Sequence, residues 1–154
     1  GRPDLMARAE LLRCASRVAS LVFEPCAGFE KLRRDAPAAE RAYADYLAAR
    51  VQPQDVALLP AQQRGAAAAN ADAVAVSSIT DPLSRLVAAG VLFESGRASP
   101  ALMALAADTA SAQGWRRPLL AWLLVQAERA EQGGERPEAE RLRRRIELVQ
   151  GAKP

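Results

Sequence analysis

A chain of 154 residues, half of them hydrophobic and 35 of them alanine, is long enough for one domain, with a core made largely of small side chains. A net charge of +3 argues against a strongly basic polyanion binder. Residues 1–76 carry 10 basic and 9 acidic groups and residues 77–154 carry 11 and 9, with the signs mixed along both. Alanine favours helix, and valine, isoleucine and threonine are sparse, so helices are expected over strands. The chain has no histidine and two cysteines, too few for a zinc site, so neither a metal nor a cofactor is expected. No apolar run reaches the ~20 residues needed to cross a bilayer, and no transmembrane segment is expected. Nineteen arginines against two lysines, in so alanine-rich a chain, suggest a GC-rich bacterial source. Gly1 resembles a remnant of cleavage, which leaves a signal or lipid anchor ahead of it open.

Residues 4–23 read as a long helix opened by Pro3-Asp4 and ended by Pro25. Leu11, Cys14, Val18 and Leu21 share a face, which Leu12, Ala15, Ala19 and Val22 broaden. If that helix ran to Val22, Cys14 would lie about 12 Å behind its end, and four extended residues span about the same distance. A Cys14–Cys26 disulfide therefore requires an early helix end and a sharp reversal at Pro25. The alternative is Cys14 as a small buried hydrophobe. A bridge would imply an oxidising compartment. A second helix is expected from Pro37 to about Val51, with Ala39, Tyr43, Tyr46, Leu47 and Val51 as its stripe. The stretch "GAAAANADAVAVSS", residues 65–78, predicts a helix followed by a loop.

The second half is punctuated regularly. Gly96, Gly114 and Gly133 each precede a proline by four residues, and Asp81-Pro82 marks a fourth start. Glycine past a helix end and proline in the next first turn predict helices at about 82–95, 100–113, 118–132 and 137–149, with Asp81 and Ser99 as N-caps. Short turns make such neighbours antiparallel. The expected fold is all-α: antiparallel helical hairpins, as repeats or an irregular bundle of about 6–8 helices in one domain. Its parts are an N-terminal helical pair (1–60), an Ala-rich connector (61–80) and a C-terminal four-helix array (81–150).

Within that array, Leu123 to Ile146 resembles a tetratricopeptide hairpin. Ala127 and Ala139 fall where that family keeps small residues and Gly134 falls in its inter-helix turn, while Arg143 and Ile146 depart from the pattern. The resemblance implies a stacking helix-turn-helix unit with a protein-binding surface. A second segment, "FESGRASPALMALAADTA" at 93–110, is similar to the Glu-Ser start and later Leu-Met segment of lytic transglycosylases. That similarity implies a helical fold with Glu94 as the general acid that cleaves peptidoglycan.

The densest arginine run lies between Glu135 and Glu147, where five arginines face four glutamates. Glu140–Arg144 and Arg143–Glu147 are expected as i,i+4 pairs beside an apolar stripe of Ala139, Leu142, Ile146 and Val149. Neutralising phosphates would need excess positive charge, so a solvated, ion-paired face is expected and no nucleic-acid partner. Pro118–Val125 is apolar for eight residues and points all round its helix, as a centrally buried helix does. Trp115, Arg116 and Arg117 form the candidate contact site for an anionic peptide or glycan, the alternative being that Trp115 folds under its own turn. Tyr43 and Tyr46 are further candidate binding residues.

The expectation is a non-catalytic bacterial adaptor or accessory factor that binds a protein partner. Its expected place is the periplasm or a membrane-anchored envelope position, the alternative being the cytoplasm. The alternative functions are peptidoglycan cleavage through Glu94 and arginine-mediated binding of nucleic acid or an anionic surface.

Overall fold

Pro3 sits in the first turn of α1 (Pro3–Ala19), where its missing N–H costs nothing, and Asp4 faces the positive end of the helix. In the computed structural model, which describes residues 2–151, two short helical turns follow, α2 (Ala27–Glu30) and a 3-10 turn at Arg33–Asp35. Next come α3 (Ala38–Leu47), a 3-10 stretch at Pro53–Leu58, and the short α4 (Ala61–Arg64) and α5 (Ala73–Ser77). Four longer helices complete the chain: α6 (Pro82–Glu94), α7 (Pro100–Gln113), α8 (Arg116–Gln132) and α9 (Arg136–Gly151). The fold is all-α, with no strand among the described residues.

Five of these helices end in one way. A residue at the C-cap or just past it takes a left-handed conformation, with φ of 61° at Leu21, 59° at Ala49, 74° at Gly96, 70° at Gly114 and 71° at Gly134. The following N–H then donates to the carbonyl five residues back, as from Val22 to Arg17 (2.9 Å) and from Trp115 to Ala110 (3.0 Å). Glycine makes this reversal without strain, whereas leucine or alanine there costs about 1–2 kcal/mol. Ala49→Gly is therefore expected to stabilise the protein by about 1 kcal/mol, read as a Tm about 2–4 °C higher. An unchanged or lower Tm would show that the Ala49 conformation carries no strain.

The reversal at Leu21 corrects the predicted end of α1, which stops at Ala19 rather than residue 23. It turns the chain back so that Cys14 and Cys26, with Cα atoms 5.9 Å apart, are joined by a disulfide. Helix α3 likewise ends before Val51, and its buried face is Ala42, Ala44, Tyr46 and Leu47 rather than one including Ala39. The Ala-rich stretch reverses the expected order, with loop first and helix second. Arg97 donates from Nη2 to the carbonyls of Ala68 (3.0 Å), Ala69 (2.7 Å) and Ala71 (3.3 Å), taking up groups that a helix would have bonded internally. Asp72 then caps α5 through the N–H of Val74 at 3.0 Å.

From α6 onward each helix packs on the next in sequence, and α1 crosses α6. Residues Leu86 to Leu92 of α6 are all buried. At the crossing, a Cβ on Gly90 would overlap the Val18 carbonyl oxygen and come within 2.8 Å of Val18 Cγ1, so the two backbones approach to the limit. Asp81 caps α6 by accepting from the Ser84 N–H (2.9 Å) and hydroxyl (2.8 Å), which hold its carboxyl below the ordinary aspartate range. Ser99 caps α7 through the Leu102 N–H at 3.1 Å. Helix α8 starts two residues before Pro118, which makes Trp115 its N-cap residue, without a side-chain cap bond.

One continuous core runs from Ala7 to Ile146. Within it Trp122 of α8, fully buried, donates from Nε1–H to the buried Ala19 carbonyl at the end of α1 (3.1 Å). Phe93 meets Trp122 edge-on at 5.9 Å between centroids and stacks on Phe23 at 6.3 Å. Helix α8 is buried on one side, at Leu119, Trp122, Leu123, Ala127 and Ala130, while Leu120, Leu124 and Val125 are half-buried. The apolar run therefore does not close all round the helix as expected.

Candidate functional site

Helix α1 turns Ala7, Leu11, Cys14, Ala15 and Val18 into the core. Leu12 does not join them. It is 60 % exposed, and Val22 beyond the helix end is exposed as well, which corrects the expectation that both broaden the buried face. Both lie on one wall of a groove of about 680 Å³. The opposite wall comes from the first turn of α6, through Leu83, and from the start of α8, through Trp115 and Pro118. The capping described above places that wall. Asp81 fixes where α6 begins, and the Gly114 reversal swings Trp115 off α7 and onto the groove.

The groove is apolar along its floor and cationic at its edge. Arg13 and Arg17, one turn apart on α1, stand on one side, and Arg117 of α8 stands on the other. All three are exposed and none is in an ion pair among the described residues. No aspartate or glutamate lines the groove. Two arginines of α9 are ion-paired instead. Arg141 pairs with Glu138 at 2.6 Å and Arg143 reaches across to Glu131 of α8 at 2.7 Å, so the predicted Arg143–Glu147 and Glu140–Arg144 pairs do not form. Glu131 faces Arg143 because the α8–α9 turn, with Gly134 left-handed, folds α9 back along α8.

No family model, curated protein or solved structure matches this chain.

Of the five candidate binding residues, Trp115 and Arg117 line the groove, Trp115 half-buried with part of its ring against the core. Arg116 points elsewhere, donating to the Gln150 carbonyl near the end of α9. Tyr43 lines a neighbouring hollow of about 430 Å³ with Leu12, Leu58 and Pro60, and burial pushes its phenol up to about 12. An ion pair of Arg8 and Glu40 at 2.9 Å also borders that hollow. Tyr46 is a core residue rather than a surface one: 1 % exposed, it donates its hydroxyl to Gln63 Oε1 at 2.6 Å. Gln63, equally buried, donates onward to the Ser84 carbonyl at 3.0 Å, which ties α3 and α4 to α6.

Glu94 is exposed at the C-terminal end of α6 and borders a cleft of about 360 Å³ shared with Arg17, Glu24, Glu30 and Arg50. Val18, Val22, Phe23 and Leu47 line the same cleft, so charged and apolar side chains meet around Glu94. Two further arginines of the groove, Arg13 and Arg17, are not among the residues expected from the sequence. Their signal was their i,i+4 spacing beside Ala9, Leu12 and Ser16, which share an outward face of α1.

No helix among the described residues is long and apolar enough to cross a membrane, and no cluster of three metal-ligating side chains occurs among them.

Proposed function

We propose that this protein is a non-catalytic adaptor that holds an acidic segment of a protein partner in the groove between α1 and the start of α8. The observation that carries this reading is an apolar floor edged by three exposed arginines with no carboxylate among them. Unneutralised guanidiniums beside Trp115 suit carboxylates presented next to apolar side chains, because each guanidinium can hold a carboxylate in a bidentate pair. Aromatic and arginine side chains are also the types that dominate binding energy at interfaces. The resemblance of Leu123–Ile146 to a tetratricopeptide hairpin supports the same class, with Ala127 and Ala139 at its small positions and Gly134 in its inter-helix turn. The Cys14–Cys26 bridge supports an oxidising compartment, and with the GC-rich bacterial composition it favours the periplasm or an envelope anchor over the cytoplasm.

Selection of random displayed peptides on the full chain tests the reading. Peptides rich in Asp and Glu with interspersed apolar residues are expected to be enriched. The triple variant Arg13→Glu, Arg17→Glu, Arg117→Glu is expected to bind them at least about tenfold more weakly, a loss of about 1.4 kcal/mol or more. Its Tm should stay within about 2 °C of the parent, since the three side chains are exposed and make no ion pair. Neutral or basic peptides, or undiminished binding by the triple variant, would remove the groove from consideration.

A further inference from the structure

We infer that the segment the groove accepts is an amphipathic helix lying along α1, with acidic residues one turn apart on the flank that meets Arg13 and Arg17. The inference rests on the groove reading above and adds the conformation and charge spacing of the occupant.

Three observations lead there. The first is the nature of the walls. Between Ala9 and Ala19 the α1 wall is regular helix with its backbone N–H groups bonded internally, and no strand lines the groove, so an extended chain finds no sheet edge to pair with along it. The Ser16 hydroxyl is also engaged, donating to the Leu12 carbonyl at 3.0 Å. An extended peptide pressed onto this floor would bury N–H and C=O groups without partners, whereas a helix brings its own satisfied backbone.

The second is the outward face of α1. Leu5, Ala9, Leu12 and Ser16 recur at helical spacing, and all four are exposed. Leu12 stands between two small residues, Ala9 and Ser16, so the surface reads as a ridge flanked by two recesses. That relief lets a second helix approach closely and seat its own large side chains on either side of Leu12. The wall runs from Ala9 to Ser20, about 16 Å at ~1.5 Å per residue, which matches three turns of a partner helix.

The third is the placement of charge. Arg13 and Arg17 are separated by one turn along α1, and Arg117 faces them from the other wall. A partner helix parallel or antiparallel to α1 meets this set with carboxylates at i and i+4 on one flank and a single carboxylate on the other. Its apolar stripe, at i, i+3 and i+7, then faces Leu12, Leu83 and Trp115.

The test follows from displayed random peptides of about 16 residues, the length of four helical turns, selected on the full chain. Enriched sequences are expected to carry apolar residues at a period of three to four and acidic residues one turn apart. A synthetic peptide of that pattern should gain helical circular dichroism on binding. A central proline should weaken it at least about tenfold, and alanine at the same position should not. Apolar residues alternating with period two, or tolerance of the central proline, would overturn the helical inference; if those peptides still lost affinity for the Arg13, Arg17 and Arg117 charge-reversal variant, the groove reading would stand. Enriched peptides indifferent to the triple variant, or no enrichment at all, would overturn both.

Discussion

Trp122→Ala is expected to cost about 3–5 kcal/mol, which for a chain of this size lowers Tm by roughly 6–20 °C. Two losses combine. The fully buried indole is the largest enclosed side chain of the core, and alanine leaves a cavity between α8, Phe93 and the end of α1. The Ala19 carbonyl also loses its donor, at a point where α1 has already ended and the backbone is turning through Leu21. Trp122→Phe separates the two, since it keeps most of the volume and removes only the N–H. It should fall between alanine and the parent in thermal melts followed by circular dichroism. Both variants melting with the parent would mean that the α1–α8 joint does not hold the two halves together.

What was legible in the residues follows from how local the cause is. The corners at Gly96 and Gly114 and the caps at Asp81 and Ser99 depend on one or two side chains acting on their own backbone, so their positions follow from the chain directly, whereas the third left-handed corner is Gly134 and not the expected Gly133, which is the C-cap. The end of α1 does not follow in that way, because leucine has no preference for a left-handed φ. Leu21 adopts it where packing against the core and the Cys14–Cys26 bridge outweigh the local cost. The Ala-rich stretch is undone from a distance, by Arg97 some 26 to 29 residues away gathering three of its carbonyls. The groove is the least legible feature. Its walls come from Ala9–Val22, the start of α6 and the start of α8, and nothing in any one segment encodes that they converge. Periodicity placed Leu12 on a helix but assigned it inward, since an apolar residue at the edge of a stripe reads as core until the neighbouring helix is known to stop short of it. Tyr46, on the expected stripe and also a candidate binding residue, is buried, and only Gln63, 17 residues on, supplies the partner that lets its hydroxyl be buried.

Removing the bridge by Cys14→Ala with Cys26→Ala is expected to cost about 3 kcal/mol. This is the chain-entropy value for closing a loop whose ends are 12 residues apart in sequence, and it corresponds to a Tm roughly 6–12 °C lower. The loss should be larger than loop closure alone suggests if the bridge also holds Leu21 in its left-handed turn, and smaller if the Phe23–Phe93–Trp122 cluster holds the loop without it. The two contributions separate in a double variant. Phe23→Ala added to the cysteine pair should cost more than the sum of its parts if cluster and bridge restrain the same loop. Reduction of the parent by a dithiol should reproduce the melt of the alanine pair. Arg17 and Val22 lie within the closed loop, so the same treatment should weaken binding of acidic peptides while leaving α6–α9 helical. An alanine pair that melts with the parent would show that the bridge contributes nothing to stability. It would also withdraw the thermodynamic reason for placing this protein where disulfides persist.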